Sequence, residues 1–298
     1  MERPVQPDLH LVAPRERRPS RSAAPYLLSS PALLWLLVLF VIPMFAMASL
    51  SLQEGTSLEG FRQTFRFANF TDAIADNGEF LLRSLRNAAI VTIAALLIAY
   101  PVAYWIAFYG GRFKSVFLFL LLLPFFISFV IRTVAWSFIL SDDGIILGTL
   151  KSIGLLPETY HVLGTTFAVI AGITYNLLPF TILPLYVSLE QIDARLIEAA
   201  QDLYASRVRA FLRVTLPLSL PGVVAGTLLT FIPAAGDFIN AQLLGTPRQH
   251  MIGNVIQSRF LELIDYPAAA ALSFVLMASI LLAVFAYARA VGTDKLTG

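Results

Sequence analysis

Two ionisable side chains, Arg132 and Asp237, stand within long apolar stretches of this 298-residue sequence. Charged groups are costly inside a bilayer, and where they occur there they commonly mark a functional position. The Asp237 carboxylate could attract an ammonium group, or it could be a structural partner of Arg132 or of a freed backbone group. We expect Arg132 to extend toward the membrane surface near the outer end of its span, unless it pairs with Asp237 as a gate.

Aromatic side chains form a second set of candidates, because ring faces attract alkylammonium groups. The set comprises Tyr100, Tyr104, Trp105, Trp136, Tyr175 and Phe238. Aromatic residues near the ends of membrane helices also form the interfacial belt, and that alternative stays open for each of them. The predicted substrate path consists of Asp237, Trp136, Arg132, Tyr175 and Phe238.

Other polar and small residues inside the apolar stretches are expected to join helices to one another. Asn87, Asn176 and Asn240 can hydrogen-bond between membrane helices. Gly222 and Gly226 are four residues apart, a spacing that lets two helices approach closely.

Several chemistries are excluded by the sequence. It has no cysteine, and His10, His161 and His250 do not have the spacing of metal ligands. No G-x-x-x-x-G-K-[ST] pattern occurs, so the chain has no phosphate-binding loop of that kind for ATP. The sequence therefore predicts no catalytic residue, no metal site and no bound cofactor, and any energy would come from a partner or a gradient.

The elements that position these residues are membrane helices. The chain is 57% hydrophobic and only 13% charged, with a mean hydropathy of +0.75, which requires lipid as the solvent. About 20 apolar residues span the hydrocarbon layer, and six windows meet this requirement: 31–52, 87–109, 114–140, 162–188, 219–244 and 267–290. The fold class is therefore an all-α membrane protein with about six transmembrane helices, several of them bent at prolines.

The distribution of Lys and Arg predicts the orientation. Six spans place both termini on one side, where thirteen Lys and Arg residues lie, against seven on the opposite side. Five acidic residues also lie in the opposite loop 54–79. Because cytoplasmic segments carry the excess of basic residues, we expect both termini to be cytoplasmic.

The resulting organisation has five parts. Residues 1–30 form a basic, proline-containing tail that we expect to be disordered. The first transmembrane helix, 31–52, is too long for the core of a signal peptide and should remain as an anchor. An extracytoplasmic loop, 53–86, a five-helix core, 87–290, and a cytoplasmic C-terminus, 291–298, follow.

Residues 189–218, here called the EAA segment, are too charged to span the membrane. Their apolar residues recur at helical spacing and predict an amphipathic helical hairpin. Asp193 is a plausible N-terminal cap, Pro217 is expected to stop the helix, and Pro221 to begin the next span. Basic amphipathic helices also lie flat on membranes, so the pattern alone leaves that alternative open.

The residues of this segment resemble the EAA loop of binding-protein-dependent ABC importer permeases. Glu198-Ala199-Ala200, Asp202-Leu203 and Val214-Thr215-Leu216-Pro217 occupy the family's positions. Tyr204 departs from the pattern, because the family usually has a glycine there, as a left-handed backbone would prefer. The family's glycine role is therefore not transferred to Tyr204.

The resemblance implies a type I ABC importer permease fold in which the EAA segment is a coupling helix. Such a helix seats in a groove of the ATPase subunit and transmits its closure to the membrane helices. The residues that the resemblance assigns to ATPase coupling are Glu198, Ala199, Ala200, Asp202, Leu203, Tyr204 and Arg207.

Further motifs are similar to the spermidine/putrescine branch of these permeases. They include Leu123-Pro124-Phe125-Phe126, Gly236-Asp237-Phe238 and Asp265-Tyr266-Pro267-Ala268. The resemblance implies a bacterial inner-membrane subunit importing a polyamine, with ATP and Mg held by a partner ATPase dimer. It also implies a second permease and an extracytoplasmic binding protein that delivers substrate to loops 53–86 and 245–266. The alternatives are a gradient-driven secondary transporter, or the same machinery carrying an opine or phosphonate.

Overall fold

The computed structural model describes residues 24–291, with side chains from 29 to 290. Most of the predicted tail 1–30 and nearly all of the C-terminal segment 291–298 lie outside the described residues. The chain divides into two units, 1–47 and 48–298. The first unit contains α1 (Ala24–Leu36), a π-helical turn (Leu37–Val41) and the start of α2 (Ile42–Ser51).

The second unit is almost entirely helical. After a hairpin of strands β1 (Gln53–Thr56) and β2 (Gly60–Gln63), it contains α3 (Ala68–Tyr109), α4 (Lys114–Leu122), α5 (Phe129–Leu140), α6 (Ile145–Ser152), α7 (Thr166–Glu190), α8 (Ala194–Asp202), α9 (Arg207–Ala210), α10 (Leu216–Leu218), α11 (Leu220–Ala235), α12 (Ile239–Leu244), α13 (Ile252–Leu261) and α14 (Tyr266–Val291). Short 3₁₀ turns occupy Gly111–Phe113, Leu123–Phe126 and Pro247–Gln249, and a π-helical turn occupies Phe211–Thr215.

The predicted number of spans is confirmed when bent helix pairs are counted as single spans. Four helices of the described chain are long and apolar enough to cross a membrane, and two bent pairs raise the number to six. The pairs are Gly111–Phe126 with Phe129–Ser152, bent by 92°, and Arg207–Leu218 with Leu220–Ala235, bent by 64°.

Two predicted spans are not continuous helices. The window 114–140 breaks at Ile127 and Ser128, whose extended backbones follow the 3₁₀ turn that contains Pro124. The window 219–244 breaks between α11 and α12, at Gly236, Asp237 and Phe238. Neither break changes the hydropathy of its window, because hydropathy reports composition and not backbone continuity.

The predicted loop 53–86 is largely ordered structure. The hairpin pairs Gln53 with Gln63 and Thr56 with Gly60. The Asn69 side-chain amide donates to the carbonyls of Ser51 and Gln53, at 2.9 and 2.8 Å, and so joins the hairpin to α3. The charged residues of 68–86 begin the 42-residue helix α3 and do not form a loop.

The core lies where α3, α7 and α11 pack together. Small residues on α3, such as Ala99 and Ala103, are fully buried against Leu185 and Leu189 of α7. Gly222 on α11 faces α7 so closely that a methyl group there would lie 2.6 Å from the Pro184 carbonyl oxygen. The close approach predicted for the glycine pair is therefore confirmed.

Candidate functional site: the EAA segment and the polar cluster between the helices

The first half of the EAA segment is the helix α8. Asp193 caps it as predicted, because its Oδ1 accepts from the Arg195 backbone N–H at 2.9 Å. This bond satisfies one of the amides that a helix N-terminus leaves without a partner. Six of the seven candidate coupling residues are exposed and Ala200 is half-buried; the exposed ones are Glu198, Ala199, Asp202, Leu203, Tyr204 and Arg207.

Tyr204 ends α8 in the left-handed conformation, with φ +63°. Its N–H donates to the Gln201 carbonyl at 2.9 Å, and the Ala205 N–H donates to the Ala200 carbonyl at 3.1 Å. These two bonds define a Schellman motif, in which glycine is the usual left-handed residue. The backbone geometry expected at the glycine position is thus present although a tyrosine occupies it.

The second half of the EAA segment is a helix with a π-helical turn. Ser206 caps α9 by accepting from Arg209 N–H at 3.4 Å. In the π-helical turn, the Leu216 N–H donates to the Phe211 carbonyl, five residues back. Pro217 does not itself end the helix, because it lies inside the short α10, which ends one residue later at Leu218. Pro221 lies in the first turn of α11, as predicted. Proline is accepted in a first turn because that position needs no N–H donor.

Phe211 connects the EAA segment to α3. Its ring packs edge-on against Tyr100 at 5.5 Å and against Tyr104 at 6.1 Å between ring centroids. The Tyr100 hydroxyl also shares a 2.8 Å hydrogen bond with the Ser219 hydroxyl, at the junction of α10 and α11. Tyr100 and Tyr104 thus pack against the EAA segment, a contact that the sequence did not signal.

The apolar face of the EAA segment has little cover within the chain. Leu196, Val208 and Leu212 each expose at least half of their surface, and Leu203 exposes 82%. Other apolar residues of the segment are covered: Phe211 packs against α3, Ala210 is buried, and Ile192 packs against the core. The exposed apolar residues form a surface suited to covering by another protein or by lipid.

Asp237 lies at the break between α11 and α12 and bonds to Asn240. Its two carboxylate oxygens accept from the Asn240 backbone N–H at 2.9 Å and from the Asn240 side-chain amide at 2.8 Å. No ion pair joins it to Arg132 within residues 29–290. Of the two structural partners considered for Asp237, the structure thus shows a backbone group, the Asn240 N–H at the start of α12, and not Arg132.

Asn240 continues this contact into a buried polar cluster. Its Oδ1 accepts from the Asn176 side-chain amide at 3.1 Å and from the Thr133 hydroxyl at 3.2 Å. The Asn176 amide also donates to Thr133 at 3.1 Å. The cluster joins α5, α7 and α12, so the interhelical role predicted for Asn176 and Asn240 is confirmed. Thr133 was missed because a threonine in an apolar run carries no signal of its own.

Arg132 is buried instead of extending to an exposed position. Only 7% of the residue is exposed, and its guanidinium lies 5.2 Å from the Phe125 ring centroid and 5.8 Å from that of Phe129. Its Nε has no hydrogen-bond partner among the described residues. The expected extension to the membrane surface is therefore not seen, and two ring faces lie near the cation.

The remaining candidates for the substrate path fall into two places. Trp136 and Tyr175 pack against each other at 5.3 Å between centroids, with their rings tilted by 57°, on the two helices that carry Thr133 and Asn176. Phe238 does not join this pair; it lines a cavity of about 320 Å³ together with residues of α13 and α14. The structure thus groups Arg132, Trp136 and Tyr175 near the polar cluster and places the Phe238 ring apart from them.

A polar cavity of about 450 Å³ lies beside the hairpin. Its charged lining residues are Glu54, Glu59, Arg66, Asp72, Asp76, Arg259 and Asp265. Arg66 pairs with Glu54 at 2.8 Å, and Arg259 pairs with Asp265 at 3.0 Å. The concentration of acidic residues in 54–79 indicated an acidic surface. The sequence did not show that Asp265, far along the chain, lies beside them.

Comparison with known proteins places these features in a family. The family described as binding-protein-dependent transport system inner membrane component matches residues 23–291. The spermidine/putrescine transport system permease protein PotB of Haemophilus influenzae is 38% identical over 259 residues, which cover 86% of this chain and 90% of that protein. PotB of Escherichia coli is 35% identical over 257 residues, covering 86% and 94%.

Solved structures agree with this fold. A chain of a bacterial ABC transporter involved in the import of the polysaccharide alginate superposes with a TM-score of 0.67 at 20% identity, covering 92% of this chain and 96% of that chain. A chain of the methionine transporter MetNI, in an inward-facing conformation, gives 0.53 at 19% identity, covering 72% and 95%. The type I importer permease fold is therefore confirmed, and the chain belongs to the family of binding-protein-dependent transport system inner membrane components.

Proposed function

We propose that this chain is a permease subunit of an ATP-driven importer that carries spermidine or putrescine across the bacterial inner membrane. The observation that carries the proposal is the EAA segment, a capped helix and left-handed turn whose apolar face is exposed. The identity to PotB over most of both chains supports the substrate class. Both termini are then cytoplasmic, in agreement with the distribution of basic residues.

The energy source in this proposal is a partner. A cytoplasmic ATPase dimer binds ATP and Mg and docks on the exposed face of α8, which includes Glu198 and Ala199. A second permease subunit completes the membrane pathway, and an extracytoplasmic binding protein delivers the polyamine to the segments 53–86 and 245–266, which contain the hairpin with the start of α3 and the helix α13. The chain itself contributes the docking surface and half of the pathway.

The contacts of Phe211 supply a physical route for coupling. A movement of α8 acts on the π-helical turn, whose Phe211 ring is held between Tyr100 and Tyr104 of α3. The Tyr100–Ser219 hydrogen bond adds a polar link between α3 and the start of α11. Packed elements of this kind move as rigid bodies, so closure of the ATPase rearranges the helices around the pathway.

The substrate path in this proposal runs past the polar cluster. The Asp237 carboxylate, at the break between α11 and α12, attracts an ammonium group of the substrate. Trp136 and Tyr175 offer ring faces to the alkylammonium chain near the polar cluster, and Phe238 offers a further one in its separate cavity. Arg132, shielded by Phe125 and Phe129, sets a positive boundary that holds the polyamine on the Asp237 side.

The test uses the complete importer reconstituted in proteoliposomes with its binding protein. Ala199→Trp places a bulky side chain on the exposed docking face and should abolish both spermidine uptake and receptor-stimulated ATP hydrolysis. Ala286→Trp makes the same change at an exposed position of α14, outside the EAA segment and outside residues 53–86 and 245–266, and is the matched control that should leave both activities unchanged.

Two outcomes would contradict the proposal. Unchanged uptake and hydrolysis in Ala199→Trp would show that α8 does not dock on the ATPase. Uptake that proceeds without ATP would favour a gradient-driven transporter. Competition by unlabelled putrescine should block labelled spermidine, whereas an opine or a phosphonate should not compete.

A further inference from the structure

Tyr204 occupies a backbone conformation that a tyrosine adopts rarely. At φ +63° the Cβ atom of an L-residue crowds the following carbonyl oxygen, and glycine avoids this cost. Both hydrogen bonds of the Schellman motif are made by backbone atoms, so glycine would make them equally well. The backbone therefore gains nothing from a tyrosine side chain at this position.

The Tyr204 side chain is also not stabilised by contacts with the described residues. Tyr204 is 96% exposed, and neither a hydrogen bond nor a ring contact joins its side chain to another described residue. Leu203 beside it is also exposed. Two large apolar side chains therefore project from the turn between α8 and α9, on a backbone that the Schellman motif fixes.

The surroundings of this pair indicate the chemistry of what covers it. Arg207, Arg209 and Arg213 are exposed on the following helix, and none forms an ion pair with a described residue. A complementary surface would offer an apolar pocket with carboxylates at its rim. A folded protein can present both features on one surface, and two side chains projecting from a fixed turn match a pocket of defined shape.

We propose that Tyr204, with Leu203, is an anchor that inserts into an apolar, acid-rimmed pocket of the cytoplasmic ATPase subunit. The inference rests on the proposed function, since it specifies how the EAA segment binds that partner. The fixed backbone presents the ring in its bound position, so little conformational freedom is lost on docking. In this proposal the contacts of the ring with the ATPase offset the strain of the left-handed turn.

The experiment measures folding and binding separately. The complete permease is placed in nanodiscs, and its affinity for the isolated ATPase subunit is measured together with its unfolding temperature. Tyr204→Gly should leave the unfolding temperature unchanged or raise it, because the left-handed strain is relieved. The same variant should weaken ATPase binding by about 30-fold, as expected for the loss of a central aromatic anchor.

Tyr204→Phe is the matched control, because it keeps the ring and the backbone strain. It should bind the ATPase within about threefold of the original, because the proposed pocket is apolar and the ring, not the hydroxyl, makes the contact. Raising the salt concentration should weaken binding of the unaltered permease, because arginines face carboxylates in the proposed interface.

The possible results separate this inference from the proposed function. If Ala199→Trp blocks uptake while Tyr204→Gly binds the ATPase as tightly as the original chain, the anchor is refuted and the coupling role stands. If both variants are without effect, the docking surface itself is wrong. A lower unfolding temperature in Tyr204→Gly would assign the tyrosine a structural role and overturn the anchor, and binding that ignores salt would contradict the acidic rim.

Discussion

Replacing Gly222 by alanine tests the packing on which the rigid movement of α11 depends. A methyl group at Gly222 would lie 2.5 Å from the Ser188 Cβ and 2.6 Å from the Pro184 carbonyl oxygen, both on α7. Atoms of the α7 backbone cannot rotate away as the end of a long side chain could. The substitution therefore forces α7 and α11 apart or distorts one of them.

The size of the effect follows from two opposing terms. Alanine is a better helix former than glycine by about 1 kcal/mol, whereas forcing an extra methyl into a packed interface costs roughly 1–3 kcal/mol. Because the methyl would contact backbone, the cost should lie in the upper part of that range. The net loss is then about 1–2 kcal/mol of unfolding free energy, or roughly 3–6 °C in the midpoint of thermal unfolding.

Two other glycines provide matched controls. At Gly226 the nearest atom to the added methyl is the Thr181 carbonyl oxygen at 3.1 Å, so the two terms should nearly cancel. At Gly78 on α3 no atom lies within 4 Å, so only the gain in helix propensity, about 1 kcal/mol, remains. Thermal unfolding in detergent micelles should rank the stabilities Gly78→Ala, Gly226→Ala, Gly222→Ala from highest to lowest. A Gly222→Ala protein as stable as Gly78→Ala would refute the packing argument.

Two further substitutions test the polar cluster. Asn240→Ala removes the partner of Thr133 and Asn176 inside the helix bundle and should lower the unfolding free energy by about 1–3 kcal/mol; an unfolding midpoint equal to that of the original chain would show that the cluster contributes nothing. Asp237→Asn preserves the size of the capping side chain but removes its charge, so spermidine uptake should show a KM raised by about tenfold, the loss expected for one charge-assisted contact. Unaltered uptake kinetics would leave Asp237 with its capping role alone.

Local features of the fold could be predicted because they depend on neighbours in sequence. The Asp193 cap requires an acceptor two residues before an amide, a spacing that is visible along the chain. The left-handed turn at Tyr204 was not predicted, because a tyrosine rarely adopts that conformation. The number of spans was also predictable, since it depends on the summed hydropathy of each window.

The breaks within the spans could not be located in the same way. Pro124 was one of several prolines in apolar windows, and the residues that adopt the extended backbone, Ile127 and Ser128, have no unusual sequence signal. The N-terminal part of α3 was predicted as part of a loop for the opposite reason. Its charged residues lower the hydropathy, while its backbone stays helical.

The candidate site required tertiary structure. Thr133, Asn176 and Asn240 are separated by dozens of residues, and only the packing of three helices brings their side chains together. Arg132 was expected to extend to the membrane surface, and the structure buries it instead. Hydropathy indicates the depth of a residue but does not show which side chains surround it. Phe125 lies before the break in the third span, and the bend is what returns its ring to the guanidinium.

Because α3 is one continuous helix, a small tilt at one end displaces its other end by a larger distance. Its 42 residues include Tyr100, which bonds to the start of α11, and Asn69, which holds the hairpin. At a rise of 1.5 Å per residue these two positions are about 47 Å apart along the helix axis. A tilt of about 5° with its fulcrum at Tyr100 would then displace the hairpin end by about 4 Å. A small rotation at one membrane face thus becomes a displacement larger than a water molecule at the other.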